Sequence, residues 1–308
     1  MTELLSLGLE IGVLFVYIFF GWLGRRTGIL DAGADKAVSN LVFYFTMPAL
    51  TVTSMGQKIS TGQLYEGLFI LAGSLVLVTL SYLFIVPVSR LLRVDGSLEE
   101  SFRFGTIFGN VTYMGFPVCY MLFGKIGIFY AALYSLGHNL IFWTLGVWMI
   151  CRRQGAGLPW REVLNINVIA IIAGFLLALG QIQLPRIIFE PLSGLGEATI
   201  PLAMLLIGSM LAEGNFKELV TSKLVYQSTA IKLLVLPALT LLLLRALPSL
   251  STAGKTVMLL EMAMPAAALA PTVARKYNGA YVFLSRVVVF TTLLSLLTLP
   301  VFAWLGQR

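Results

Sequence analysis

Apolar runs of about 20 residues, the length at which a helix crosses the hydrocarbon core of a bilayer, recur from one end of the chain to the other. Short polar turns separate them, so neighbouring runs are antiparallel. The pattern predicts ten membrane spans, over residues 6–24, 36–55, 65–92, 101–123, 125–151, 163–181, 187–212, 222–246, 254–276 and 278–306. The expected fold class is an all-α membrane protein. The longest polar connector runs from Arg152 to Arg161, between spans five and six.

One stretch of span nine departs from simple hydrophobicity. Leu259-Leu260-Glu261-Met262-Ala263-Met264-Pro265 puts a carboxylate four residues before a proline. Proline has no N–H for the carbonyl of residue 261, and its ring crowds that carbonyl. A side-chain carboxylate and a freed backbone oxygen would then share one depth in the membrane. Such a break is tolerated only where it is buried in protein or lines a polar cavity. The stretch is expected to form half of a transport site.

The prolines also suggest duplication. Pro48, Pro87 and Pro117 in the first half are followed by Pro201, Pro237 and Pro265 at separations of 153, 150 and 148 residues. With five spans per half, the second half must be inverted relative to the first. Ten transmembrane helices in two inverted five-helix repeats, with broken crossover helices four and nine, are therefore expected: repeat one over 1–153, a connector over 154–162 and repeat two over 163–308. This architecture is common among secondary transporters. Pro117 is the counterpart of Pro265, in Phe108-Gly109-Asn110-Val111-Thr112-Tyr113-Met114-Gly115-Phe116-Pro117. Gly109 and Gly115 permit close backbone approach, while Asn110, Thr112 and Tyr113 offer side-chain hydrogen bonds. Two broken helices meeting here would present helix N-termini to an anion and free carbonyls to a cation.

Composition sharpens this reading. Hydrophobic residues make up 58% of the 308 and charged residues only 11%, which excludes an ordinary soluble domain. The net charge of +7 invites a nucleic-acid reading, but Lys and Arg stand at the span ends. Thirteen of them fall on one side and six on the other when the N-terminus is placed outside. That count predicts both termini outside and a cytoplasmic connector. Glu3 and Glu10 occupy the place where a secretory signal would be basic. Cys119 and Cys151 lie in apolar context and are expected as buried thiols without a disulfide. An intramembrane enzyme has no support: there is no His-Glu-x-x-His and no intramembrane aspartate pair, and His138 is the single histidine.

Charged groups inside spans need a partner or a task. Glu261 is an acidic residue placed well inside a span, accompanied by Lys232 in span eight, Arg286 in span ten and His138 beside Asn139 in span five. Arg286 is open to an ion pair with Glu261 as well as to a substrate role. For His138 a satisfied hydrogen bond competes with proton shuttling.

The ten spans, the Pro117 and Pro265 breaks, the Asn40 to Met47-Pro48 segment and Thr199-Ile200-Pro201 resemble the auxin efflux carrier family. More distantly, the chain resembles bile-acid sodium symporters. The first resemblance implies a scaffold of spans one, two, six and seven, often dimeric, and a moving domain of spans three to five and eight to ten. It implies elevator-like transport of small organic anions, such as auxin-like aryl carboxylates, malate or malonate, in the cell's inner membrane. The long loop of plant members is absent, which argues against auxin as the natural substrate. A channel or sensor built on the same crossover is the alternative. The expected substrate-binding residues are Asn110, Thr112, Tyr113, Gly115, Pro117, His138, Asn139, Lys232, Pro265 and Arg286. Glu261, with Asn110 and Thr112, is expected to hold the coupling ion. A proton and Na+ both stay open for that ion, and no organic cofactor is implied.

Overall fold

The computed structural model describes residues 2–56, 59–96, 98–151, 164–212, 222–246, 250–277 and 279–308. The connector, along with Lys58, Lys217 and Asn278, lies outside the described residues. All regular elements among the described residues are helical. They are α1 (Thr2–Arg26), α2 (Ala32–Leu41), α3 (Met47–Met55), α4 (Thr61–Leu91), α5 (Glu99–Ile107), α6 (Phe116–Ile141), α7 (Val147–Cys151), α8 (Ile166–Leu179), α9 (Arg186–Glu197), α10 (Thr199–Ala212), α11 (Lys223–Ala230), α12 (Leu236–Arg245), α13 (Thr252–Ala263), α14 (Ala270–Lys276) and α15 (Tyr281–Gly306). Five helical runs among them are long and apolar enough to cross a membrane: 61–91, 111–150, 186–212, 223–245 and 281–306. The chain is a helical multi-pass membrane protein.

Local chemistry sets the helix starts. Asp31 caps α2 by accepting from Ala34 N–H at 2.7 Å, and Ser60 and Gln63 form a reciprocal capping box at α4. Asn165 Oδ1 accepts from both Asn167 and Val168 N–H at the start of α8. Ser251 caps α13 through Gly254 N–H at 3.0 Å, and Glu66 of α4 accepts from the Ser251 N–H at 2.6 Å. Tyr130 of α6 donates to the same carboxylate, so Glu66 ties α4, α6 and α13 together near one end.

Prolines accompany three of the helix irregularities. Of the four π-helical turns among the described residues, Val42–Thr46, Val111–Gly115 and Ile231–Val235 each end two residues ahead of a proline (Pro48, Pro117 and Pro237), whereas Phe142–Gly146 has no proline after it. A proline cannot donate to the turn before it, so the ladder widens there to i→i+5. Gly115 N–H, bonded to Asn110 O at 3.1 Å, is an example. At Gly124 the run 111–150 breaks, with φ 58° and ψ −143°, a conformation open to glycine and costly for other residues. The break falls between the expected spans four and five.

Packing arranges these helices in two apolar cores. In the larger one α1 lies along α10, where Gly21 and Gly208 let the two backbones touch. The same core includes α3, most of α6 and the middle of α13. The smaller core gathers α5, α7, α14 and the first half of α15. The two meet where α5 and α13 end.

Candidate functional site

Helices α5 and α13 both stop inside the protein. α5 ends at Ile107, after which Phe108 is extended (φ −85°, ψ 124°). α13 ends at Ala263, after which Met264 is extended (φ −57°, ψ 144°). The two extended strips pair antiparallel, with Gly109 opposite Ala266. Asn110 N–H donates to Pro265 O at 2.7 Å, and Ala267 N–H donates to Phe108 O at 3.0 Å. Two helix breaks thus cross and satisfy each other's backbone groups, as burial away from water requires.

Further polar groups at the crossing also find partners. Gly109 N–H donates to His138 Nε2 at 3.3 Å, and Ala266 N–H donates to Thr291 Oγ1 of α15 at 3.1 Å. The Ile107 and Met262 carbonyls, at the two helix C-termini, accept from the Lys232 ammonium at 3.1 and 3.4 Å. Lys232 is 1% exposed. A charge at the membrane centre costs roughly 2.5–3.5 kcal/mol on insertion scales. Two helix C-termini, each carrying about half a negative charge, offset that cost.

Glu261 also lies in the interior, at 1% exposure. Its Oε1 accepts from the Cys119 thiol at 3.6 Å, and its Oε2 has no hydrogen-bond partner. A Cβ on Gly115 would collide with this carboxylate, so glycine there makes the space that Glu261 occupies. Tyr134, whose buried hydroxyl is unpartnered, and Lys232 are further titratable groups that feel its charge.

Beside the crossing opens a pocket lined by Phe43, Gly109 to Tyr113, His138, Asn139, Phe142, Trp143, Asn165, Asn167 and Ala267 to Leu269. Its polar side chains are neutral amides, hydroxyls and an imidazole, and none of its lining residues is acidic. Val111, Thr112 and Tyr113, the first residues of the helical run, also line it, and helix starts leave their N–H donors without intrahelical partners. His138 Nδ1 lies 3.5 Å from Asn139 Oδ1. With Nε2 accepting from Gly109, the ring is the neutral Nδ1–H tautomer.

The structure therefore sorts the expected site residues. Asn110, Thr112, Tyr113, His138 and Asn139 come together in the pocket. Pro265 belongs to the crossing itself. Pro117 corrects the sequence reading. It follows the π turn Val111–Gly115 inside the helical run 111–150, and the extended break lies upstream at Phe108–Asn110. Gly115 serves Glu261 and does not line the pocket. Lys232 is turned to the helix-end carbonyls. Arg286 lines a different pocket, with Leu98, Ser222 and Gly279 to Phe283. Asn110 and Thr112 line the pocket, and Glu261 does not.

Asn165 and Asn167 are pocket residues that sequence reasoning missed. Asn165 is legible as a helix cap, whereas Asn167 reaches the pocket wall by donating to Phe43 O at 3.2 Å, a contact that only the fold creates.

Comparison with known proteins agrees with this geometry. A family described as Membrane transport protein matches residues 10–303. An uncharacterized transporter of Methanocaldococcus jannaschii is 24% identical over 95% of this chain and 96% of its own length. Another, from Methanothermobacter thermautotrophicus, is 26% identical over 94% of both chains. With a membrane-helical fold, two crossing helix breaks and a family match from residue 10 to 303, this chain belongs to the membrane transport protein family, that of the auxin efflux carriers.

Proposed function

We propose that the protein is a secondary transporter of a small organic anion, with the pocket beside the crossing as its substrate site. The observation that carries this reading is the antiparallel pairing of two helix breaks next to a pocket without acidic lining. A carboxylate would be held by the Asn110, Asn139 and Asn167 amides, the Thr112 and Tyr113 hydroxyls and the helix start at Val111. Phe43, Phe142 and Trp143 give the same pocket apolar walls, suited to the body of an aryl carboxylate or the methylenes of a dicarboxylate.

The ten-span frame of two inverted repeats, a scaffold of spans one, two, six and seven and an elevator movement of the rest form part of this proposal. So do dimerisation through the scaffold and insertion in the inner membrane with both termini outside. The close packing of α1 on α10, spans one and seven, supports a rigid scaffold.

Glu261 is proposed as the coupling group, and a proton suits its surroundings better than Na+. A sodium ion needs several oxygen ligands, and the partners found for this carboxylate are a thiol and the space left by Gly115. The opposite charges of Glu261 and Lys232 near the crossing leave the empty carrier free to return without a large net charge there.

A thermal-shift screen of purified protein tests the reading, with dicarboxylates and aryl-acetates, each with and without sodium and at two pH values. Ligand at 100 times its Kd stabilises by about 2.7 kcal/mol, a readily measured shift. Stabilisation by one carboxylate class and saturable uptake of it into proteoliposomes are expected. Absence of both would sink the proposal, and uptake that does not saturate would point to a channel. Glu261→Gln is expected to keep binding while uptake no longer responds to a pH gradient; uptake with an unchanged response removes Glu261 from the coupling step.

A further inference from the structure

Lys232 reaches the crossing from a third element. It lies in the π turn Ile231–Val235, between α11 and α12, and its ammonium joins the carbonyl of Ile107, the last residue of α5, to that of Met262, near the end of α13. A Cβ on Gly109 would come within 3.1 Å of that nitrogen, so glycine at the centre of the crossing leaves the room for it. Thr106 of α5 and Ser228 of α11 share a hydrogen bond at 2.8 Å, which fixes α11 against α5 and holds the lysine stem in register.

Two helix C-termini aimed at one point form a cation site. Each carries about half a negative charge, so together they balance one monovalent ion. Open, such a site would recruit an inorganic cation from solution, and the transport cycle would depend on it. In this chain the position is filled by a covalently attached cation.

We propose that the Lys232 ammonium is a built-in replacement for an inorganic monovalent cation at the crossing, and that its removal exposes a binding site for Na+, K+ or a small ammonium ion. The proposal rests on the reading of the crossing as the transport site. It also separates two tasks: Lys232 holds the two broken helices as one unit, and substrate recognition falls to the neutral pocket on the Asn110 side.

The test needs no carboxylate ligand, so its outcome is independent of whether the substrate class has been identified. Wild type, Lys232→Ala and Lys232→Met are purified in choline chloride, and unfolding is followed while NaCl, KCl or methylammonium chloride replaces choline at constant ionic strength. Wild type is expected to show no saturable shift with any of these cations. Lys232→Ala is expected to melt lower in choline and to regain stability along a saturable curve with at least one of the small cations. Lys232→Met, which fills more of the vacated space with methylenes, should respond less.

The same absence of response in Lys232→Ala as in wild type overturns the proposal. So does saturable stabilisation of wild type by Na+ or K+, which would mean that the lysine does not occupy the cation position. Should neither neutral variant be obtained folded in choline, purification in methylammonium chloride is the deciding arm. Recovery of folded Lys232→Ala there supports the proposal, and failure in methylammonium, Na+ and K+ alike overturns it.

Discussion

The two arms of the crossing solve the same backbone problem with different residues. The first arm, Phe108–Asn110, breaks at a glycine and carries polar side chains immediately afterwards, in Asn110, Thr112 and Tyr113. The second, from Met264 onward, breaks at a proline followed by alanines and carries its polar group before the break, in Glu261. Hydrogen bonding across the crossing is nearly reciprocal, Asn110 to Pro265 and Ala267 to Phe108. The chemistry is not. One arm faces the pocket with neutral donors, while the other keeps a buried carboxylate away from it. A similar frame satisfies the backbone on both arms, and the side chains differ: in the proposed function, one arm serves recognition and the other coupling.

The comparison breaks most severely at Gly115, where the first arm makes room for the charge of the second. Gly115→Val would drive a branched side chain into the Glu261 carboxylate. Overpacking of this kind costs about 1–3 kcal/mol and sometimes more, so a clear fall in melting temperature and loss of uptake are expected. The double variant Gly115→Ala, Glu261→Ala should recover part of the stability lost by Gly115→Ala alone. Strict additivity of the two single effects would show that the glycine and the carboxylate do not share one space.

Asn110→Ala probes recognition on the first arm. It keeps the Asn110 N–H that bonds to Pro265 O and removes the amide that faces the pocket. A hydrogen bond to a charged ligand contributes about 1.5–3 kcal/mol, so uptake efficiency should fall roughly 10- to 150-fold while the ligand-free melting temperature changes little. Equal loss of stability with and without substrate would make Asn110 a structural residue only.

The smallest effect is expected on the second arm. Pro265→Ala retains the carbonyl that accepts from Asn110 and mainly loosens the unfolded chain, a change of about 0.4–1 kcal/mol. Gly109→Ala should cost more, since its Cβ would stand 3.1 Å from the Lys232 nitrogen and 3.4 Å from Glu261 O. Paired denaturation measurements in detergent decide the order. A larger loss for Pro265→Ala than for Gly109→Ala would mean that the proline, and not the pairing, holds the crossing.

Several features of this site were legible from local pattern because they are local in origin. Hydropathy marked Glu261, Lys232 and His138 as intramembrane, since polar residues stand out against an apolar run. Proline marked three of the four π turns among the described residues, because a missing N–H perturbs the residues just before it. The break at Gly124 was likewise expected, as the boundary between spans four and five. Pro117 shows where the same signal misleads: it marks a π turn within a continuous helical run, while the break itself lies upstream at Phe108–Asn110.

The sequence by itself determined the membrane-helical class, the resemblance to a transporter family and the presence of a few costly polar groups in apolar surroundings. Only the tertiary structure decided what each of those groups faces. It turned Lys232 to two helix ends, set Arg286 in another pocket and brought Asn167 to the pocket beside the crossing. The reason is physical. Hydrophobicity and proline effects act over a few neighbouring residues, whereas the pairing of Gly109 with Ala266 and the direction of a side chain in a π turn depend on elements far apart in the chain.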